Sequence, residues 1–301
     1  MKRLWVLGCA LACVSCELSE IVTTESEALV IAEVYLRTDQ QLQTAWLHRT
    51  RHSAPVEEVM DAEIEVRNAA GAVMRYSLAP DSVCIVVPPG AHGRSLGSCY
   101  VSDGLQRFDV VPGGRYTLSI MLPEAGELTG VTVVPEDFEL LQPTNAVCAL
   151  PPATRFDVRW TTSQGAWVYA AETNLRGLRA ILEQQGIEIN EDPLRLFGLA
   201  ISNTDTLISF PNEFGLFDRF DSDLTEALAA IQNGLPNGIV ADVAIGAADR
   251  NYVNWERGGN FNPSGPVRIG SIRGAGAGVF GSVVVKSFQI RVGSSEHPSC
   301  L

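Results

Sequence analysis

The strongest constraint on what this chain can become is a two-residue rhythm. Val30, Ala32, Val34 and Leu36 alternate with Ile31, Glu33, Tyr35 and Arg37, and Ala62, Ile64 and Val66 alternate with Glu63, Glu65 and Arg67. Successive side chains of a strand point to opposite faces, so this alternation predicts strands buried on one side rather than amphipathic helices. The pattern recurs at residues 42–50, 73–78, 83–87, at Phe108 and Val110, at Tyr116, Leu118, Ile120 and Leu122, and at Val131 and Val133. Turn signals such as Asn68-Ala69-Ala70-Gly71 and Pro112-Gly113-Gly114 punctuate it. Short strands at regular spacing with no helical stripe between them predict an Ig-like or transthyretin-like β-sandwich over residues 28–142.

A proline-marked segment, 143–152, reads as a linker to a second, β-rich α+β domain over residues 153–301. Phe156, Val158 and Trp160 alternate, and residues 166–170 read as a second strand. Asn174 is placed to cap a helix carrying Leu175, Leu178 and Leu182, stopped at Gly186. Residues 194–202 and 206–210 read as a hairpin around Asn203-Thr204-Asp205. Asp223 and Glu226 form a capping-box pattern for a helix carrying Leu224, Leu228 and Ile231 and ending at Gly234. Residues 239–245 read as a strand, Asp249 opens a short helix through Tyr252 and Trp255, and residues 267–272 and 282–292 read as the last strands.

The N-terminus carries an address. Lys2 and Arg3 precede an apolar run, residues 4–15, shorter than the about 20 residues that cross a bilayer but suited to a signal-peptide core. Cys9, Cys13 and Cys16 fall within it or at its end. Cleavage before Cys16 leaves the longest apolar core, so Cys16 is the preferred lipidation site and Cys13 the alternative. Residues 1–15 are then a lipoprotein signal peptide, and residues 16–27, polar and acidic, are a tether. Export leaves Cys84, Cys99, Cys148 and Cys300 in an oxidising compartment, where four cysteines allow three disulfide connectivities. Cys84–Cys99, closing the loop with Pro88-Pro89-Gly90, and Cys148–Cys300 are the preferred pairs. Zinc is the competing use, but no C-x-x-C pair or histidine pattern accompanies them.

Composition narrows the function. The chain has 301 residues, 22 Lys+Arg against 35 Asp+Glu and a formal charge of −13. Nucleic acid and anionic lipid surfaces call for a basic face, so neither is an expected partner. Hydrophobic residues at 46% exclude disorder.

The sequence carries several candidate chemical constellations. Gly276-Ala277-Gly278-Val279-Phe280-Gly281 matches the dinucleotide fingerprint G-x-G-x-x-G. The β-branched run Ser282-Val283-Val284-Val285 follows where a helix would have to open, so the glycines read as a turn where backbones pack closely. His48 and His52, with Glu57 and Glu58 behind them, have strand spacing for a metal pair, but Arg49 and Arg51 flank them and a solvated strand end is the simpler reading. Asp218, Asp221, Asp223 and Glu226 lack EF-hand spacing. The two remaining histidines, His92 and His297, have no triad setting, and no nucleophile elbow or H-E-x-x-H occurs. Trp160, Trp167, Trp255, Tyr169 and Tyr252 suit either a ligand surface or core packing, the latter being the commoner use. No catalytic residue, metal site or cofactor is assigned.

The C-terminal stretch resembles an uncharacterised outer-membrane lipoprotein family, a domain of unknown function. The resemblance rests on Tyr252-Val253-Asn254-Trp255, Asn262-Pro263, Pro266-Val267, Ile272 and the run Gly276 to Gly281, set against an N-P-F-S-x-P-type segment and a G-G-x-G-x-F-G-type turn. The cysteine, acidic segment and apolar strand of the first half are similar to that family too. Pro112-Gly113-Gly114-Arg115-Tyr116-Thr117-Leu118 resembles the strand entry of transthyretin-like and carboxypeptidase-regulatory-like sandwiches. Ser264-Gly265 and Arg273-Gly274-Ala275 depart from the pattern, as in a divergent member. The resemblance implies an outer-membrane lipoprotein encoded beside a TonB-dependent transporter, with an accessory role in uptake.

The expectation is therefore a non-enzymatic, lipid-anchored envelope protein that binds an outer-membrane transporter or its cargo. A structural or adhesion module ranks second and a carboxylate-dependent hydrolase third.

Overall fold

The computed structural model describes residues 29–50, 58–84, 97–104, 108–123, 125–189, 192–199, 202–211, 224–257 and 268–301. The expected signal peptide, tether and Cys16 lie outside these residues, as do His52, His92 and the Asp218, Asp221 and Asp223 group.

The protein is mainly β, with strand at 49% and helix at 11%, built as one large mixed sheet and one small sheet in a sandwich-like class. The first half supplies β1 (Val30–Arg37), β2 (Thr44–Arg49), β3 (Glu63–Asn68) and β4 (Val73–Ala79). After one helical turn, α1 (Asp81–Cys84), come β5 (Gly97–Ser102), β6 (Arg115–Leu122) and β7 (Gly126–Val133). The remainder is β8 (Leu140–Gln142), β9 (Val147–Leu150), β10 (Phe156–Trp160), β11 (Val168–Arg176), α2 (Leu178–Glu183), β12 (Leu194–Leu199), β13 (Leu207–Phe210) and α3 (Thr225–Ile231). It ends with β14 (Val240–Ala248), α4 (Arg250–Arg257), β15 (Arg273–Gly274) and the long β16 (Gly276–Val292).

The large sheet runs β12-β11-β14-β16-β1-β2-β5-β4-β3-β6-β7-β15, with β9 beside β16; the small one is β13-β10-β8. β16 is the organising strand. Its first half pairs in parallel with β1, from Val30 opposite Gly276 to Arg37 opposite Val283, and its second half pairs antiparallel with β14. The path that leaves β16 through β1 also returns to it, because β7 pairs with β15, which runs directly into β16. The main sheet thus draws strands from both sides of residues 143–152, and part of that segment is itself β9, paired with β16.

Burial follows the two-residue rhythm. Val30, Ala32, Val34 and Leu36 face the core, as do Ile64 and Val66, and Tyr116, Leu118, Ile120 and Leu122. Phe280 points inward against Gly130, where an added Cβ would lie 3.0 Å from that of Phe280. The main apolar core extends from these residues to Phe156, Trp160, Leu175 and Ile245 in the later strands, with smaller clusters around Val168, Val253 and Val283 and around Trp46 and Cys99.

Both expected disulfides are present. Cys84–Cys99 has S–S 2.06 Å, and Cys148–Cys300 has S–S 2.11 Å across 152 positions of sequence. In the chain-entropy account, closing loops of these lengths stabilises by about 3 and about 5 kcal/mol respectively.

Five local expectations are corrected. Val83 and Cys84 lie in α1 and not in a strand. Asn174 and Leu175 belong to β11, and α2 begins after Gly177, whose φ of 84° breaks the strand. β12 and β13 are not a hairpin, since β12 pairs with β11 and β13 with β10. The glycines of 276–281 lie in β16 and not in a turn, although the close packing read from them is real. A Cβ on Gly276 would meet the Val30 carbonyl oxygen at 2.4 Å and one on Gly278 the Ala32 oxygen at 2.0 Å. Parallel pairing here needs side chains absent, which is why glycine repeats at alternate positions. The strand expected at 267–272 is instead the two-residue β15 at 273–274.

Candidate functional site

Where the sheet closes, the chain buries polar groups in pairs. Thr132 on β7, Ser282 on β16 and Asp249 at the end of β14 are all buried. The Thr132 hydroxyl donates to Asp249 Oδ2 at 2.6 Å, which leaves Ser282 to donate to Thr132 Oγ1 at 2.8 Å. Asp249 Oδ1 accepts the Tyr252 amide at 2.8 Å, so the same carboxylate caps α4, as its sequence position predicts. Burial raises the Asp249 carboxyl above the usual range, while these hydrogen bonds pull it back. Every polar atom of the trio has a partner, which makes it a structural clamp that seats α4 against the closure. Asn251 adds to it, donating through Nδ2 to the carbonyls of Val131 and Phe280, each at 2.9 Å.

Under α4 the outward face of β1 carries an ionic band. Tyr35 donates to Glu256 Oε1 at 3.0 Å and meets Tyr252 edge-on. Arg37 engages both Glu172 and Asp39. Burial, then Glu256 and Glu33, push the Tyr35 phenol well above its ordinary range; burial, then Glu256 and Glu172, do the same to Tyr252 against the opposing pull of Arg37. Burial opposes the Arg37 charge, but Glu172 and Asp39 hold it more firmly protonated than usual. Both phenols are therefore neutral at ordinary pH, and Tyr35 with Glu256 and Arg37 with Glu172 and Asp39 are satisfied pairs. His48 Nε2 stands 3.7 Å from Glu33 Oε1 and Arg268 3.5 Å from the same oxygen. Among the described residues no three His, Cys, Asp or Glu side chains gather as for a metal ion.

An open concavity on the outer sheet face is different in kind. It is a groove of about 720 Å³ on the outer face of β3, β6 and β7, walled by the first turns of α4 and by residues 269–273. That volume lies within the range of small-ligand sites. Cross-strand register builds its floor. One row places Arg75, Glu65, Ser119, Thr129 and Arg273 side by side on β4, β3, β6, β7 and β15; the next places Arg67, Thr117 and Val131 together. Neighbouring positions in such a row are about 4.8 Å apart.

The charges in the groove are unequal. Glu65 is held between Arg67, at 2.5 Å, and Arg75, at 2.9 Å. Arg250 and Arg273 are exposed, and among the described residues neither has a carboxylate within ion-pair distance. Arg250 lies over the ring of Trp167, 4.9 Å from its centroid, and Trp167 is 48% exposed. The wall at 269–273 is fixed by the Ser271 and Ile272 amides donating to the Gly278 carbonyl, and by the Phe280 amide donating to Ser271 Oγ at 2.8 Å. Ile269, 61% exposed, forms an apolar rim.

The aromatic residues of the second half therefore divide. Trp160, Trp255 and Tyr169 are buried packing groups, Tyr252 is half-buried on the inner side of α4, and Trp167 stands at the surface. None of the groove's arginines is prominent in the sequence. Arg67, Arg250 and Arg273 are far apart along the chain; strand register brings Arg67 and Arg273 to one face, and α4 carries Arg250 to its wall. Comparison with protein-family models and with curated proteins finds no match for the chain.

Proposed function

We propose that this protein is a lipid-anchored accessory protein of the cell envelope that acts by binding, serving an outer-membrane transporter or its cargo. The observation that carries the reading is the pair of disulfides. Such bonds persist in oxidising compartments and are rare in the cytosol, which agrees with an apolar signal ending at Cys16. Acylation of Cys16 would hold the body at a membrane, since each buried CH₂ contributes about 0.8 kcal/mol. The polar groove on the β3-β6-β7 face offers a binding surface, and the buried Thr132, Ser282 and Asp249 beside it are hydrogen-bonded to one another.

The test is affinity recovery of the tagged protein from detergent-solubilised native membranes, with Cys16→Ala alongside. The expected result is a stoichiometric barrel protein co-purifying with the lipidated form and absent with Cys16→Ala. Recovery of the protein alone in both cases would overturn the reading.

A further inference from the structure

We propose that the groove over β3, β6 and β7 binds a short acidic oligosaccharide, its carboxylates held by Arg250 and Arg273. The inference rests on the binding-protein reading and gives its ligand a chemical class.

Charge is the first argument. In a chain of formal charge −13, the groove is lined by Arg67, Arg250 and Arg273 against Glu65, which Arg67 and Arg75 already engage, and the neighbouring Glu127 is taken by the Ser119 hydroxyl. Arg250 and Arg273 are left without a carboxylate partner among the described residues. A guanidinium presents paired donors that match a carboxylate in a fork, so two such groups in one groove fit a ligand with carboxylates spaced along it.

The floor is the second argument. Between the arginines lie Thr117 and Thr129, with Asn254 on the α4 wall; the half-buried Ser119 beside them donates to Glu127 Oε1 at 2.7 Å and is left as an acceptor. These small donors and acceptors suit hydroxyl-rich ligands, and the apolar edges Val131 and Ile269 suit the less polar face of a sugar ring. Few apolar groups converge here, which disfavours a lipid or a drug-like hydrophobe. The groove is also built and not merely exposed. Asn251, Ser271 and the Asp249 clamp hold its walls through named hydrogen bonds, so its arginines are mounted on ordered backbone.

The overall negative charge sets the ligand's length. At physiological salt the screening length is about 8 Å, so a short anion inside the groove responds chiefly to the local arginines. A long polyanion extending beyond it meets an acidic surface and gains nothing further.

Calorimetric titration of the full mature protein with tetragalacturonate, with neutral maltotetraose as the length-matched control, tests this directly. The expected result is binding of tetragalacturonate that weakens as NaCl is raised and no binding of maltotetraose. Arg250→Gln and Arg273→Gln should each weaken it by about tenfold or more, and Arg273→Glu should abolish it, with thermal unfolding unchanged. Polygalacturonate should bind no more tightly per site than the tetramer. Absence of tetragalacturonate binding, equal binding of maltotetraose, or binding indifferent to Arg250→Gln and Arg273→Gln overturns the proposal. Recovery of a membrane partner despite such a result leaves the accessory reading standing and removes only this ligand.

Discussion

Asp249 joins three elements, β7, β16 and α4, through one buried carboxylate and its partners. It caps α4 through the Tyr252 amide and accepts the Thr132 hydroxyl that is itself fed by Ser282. Its folded carboxyl is raised above the unfolded value near 3.9. The native state therefore holds its proton more tightly than the unfolded chain does. The stabilisation from that proton is complete below the unfolded value and is lost as pH rises through the folded one. Asp249→Asn, which keeps an acceptor for Tyr252, should flatten the fall in melting temperature with pH over that window, as calorimetry at stepped pH would read. Asp249→Ala removes the cap and leaves Thr132 without its acceptor, and should cost about 1–3 kcal/mol by urea denaturation. Its role as a helix cap was legible in the sequence. Its hydrogen bond to Thr132 was not, since that contact spans 117 positions.

Gly278 makes the same point in the other direction. Its φ of 138° and the Ala32 oxygen 2.0 Å from where a Cβ would stand make it the tightest approach between β1 and β16. Gly278→Ala should destabilise by about 3 kcal/mol or more, against about 1 kcal/mol for Gly71→Ala, whose turn has open space around it. Comparison of urea midpoints for the two variants checks this. The sequence pattern signalled close backbone packing at these glycines, but not that it occurs inside a strand.

At the scale of elements, alternation located most strands and their inward faces, because a half-buried strand writes its orientation into every second residue. β3, β6 and β10 are cases in point: Ile64 and Val66, then Tyr116 to Leu122, then Phe156, Val158 and Trp160 all face inward as their periodicity predicts. Pairing partners were not written there. β12 and β13 are adjacent in sequence with turn residues between them, which reads as a hairpin, yet each joins a different sheet. Asn174 is an ordinary cap residue and Leu175 fits a helical stripe, but the nine-residue pairing of β11 with β14 overrides both. The C-terminal tail is tied to β9 by Cys148–Cys300 and by the pairing of Ala149 with Ser299. Replacing both cysteines by serine should lower stability by about 2–5 kcal/mol, read as a shifted denaturant midpoint, with the β signature in circular dichroism retained.

For the whole molecule, the decisive fact is that the last strand is the neighbour of the first. β16 pairs with β1, β14 and β9, and its β15 lead-in pairs with β7, so the core runs without interruption through residues from both ends of the sequence. Thermal unfolding followed at once by tryptophan fluorescence and far-ultraviolet dichroism should give coincident, single transitions; two separated transitions would contradict this arrangement. The groove belongs to the same scale. Its floor comes from the first half and its walls from α4 and the β15 approach, so no local motif announces it. Its arginines read singly as ordinary surface charge; the register of β3, β6, β7 and β15 aligns Arg67 with Arg273, and α4 adds Arg250.

The central claim, an exported, disulfide-locked and lipid-anchored binding body, is tested most directly by intact-mass spectrometry of the protein purified from its native membranes without reductant. The expected mass is that of a chain beginning at Cys16, heavier by its acyl groups and lighter by two hydrogens for each of the two disulfides. A chain that retains residues 1–15, or one whose Cys84, Cys99, Cys148 and Cys300 carry free thiols, would contradict it.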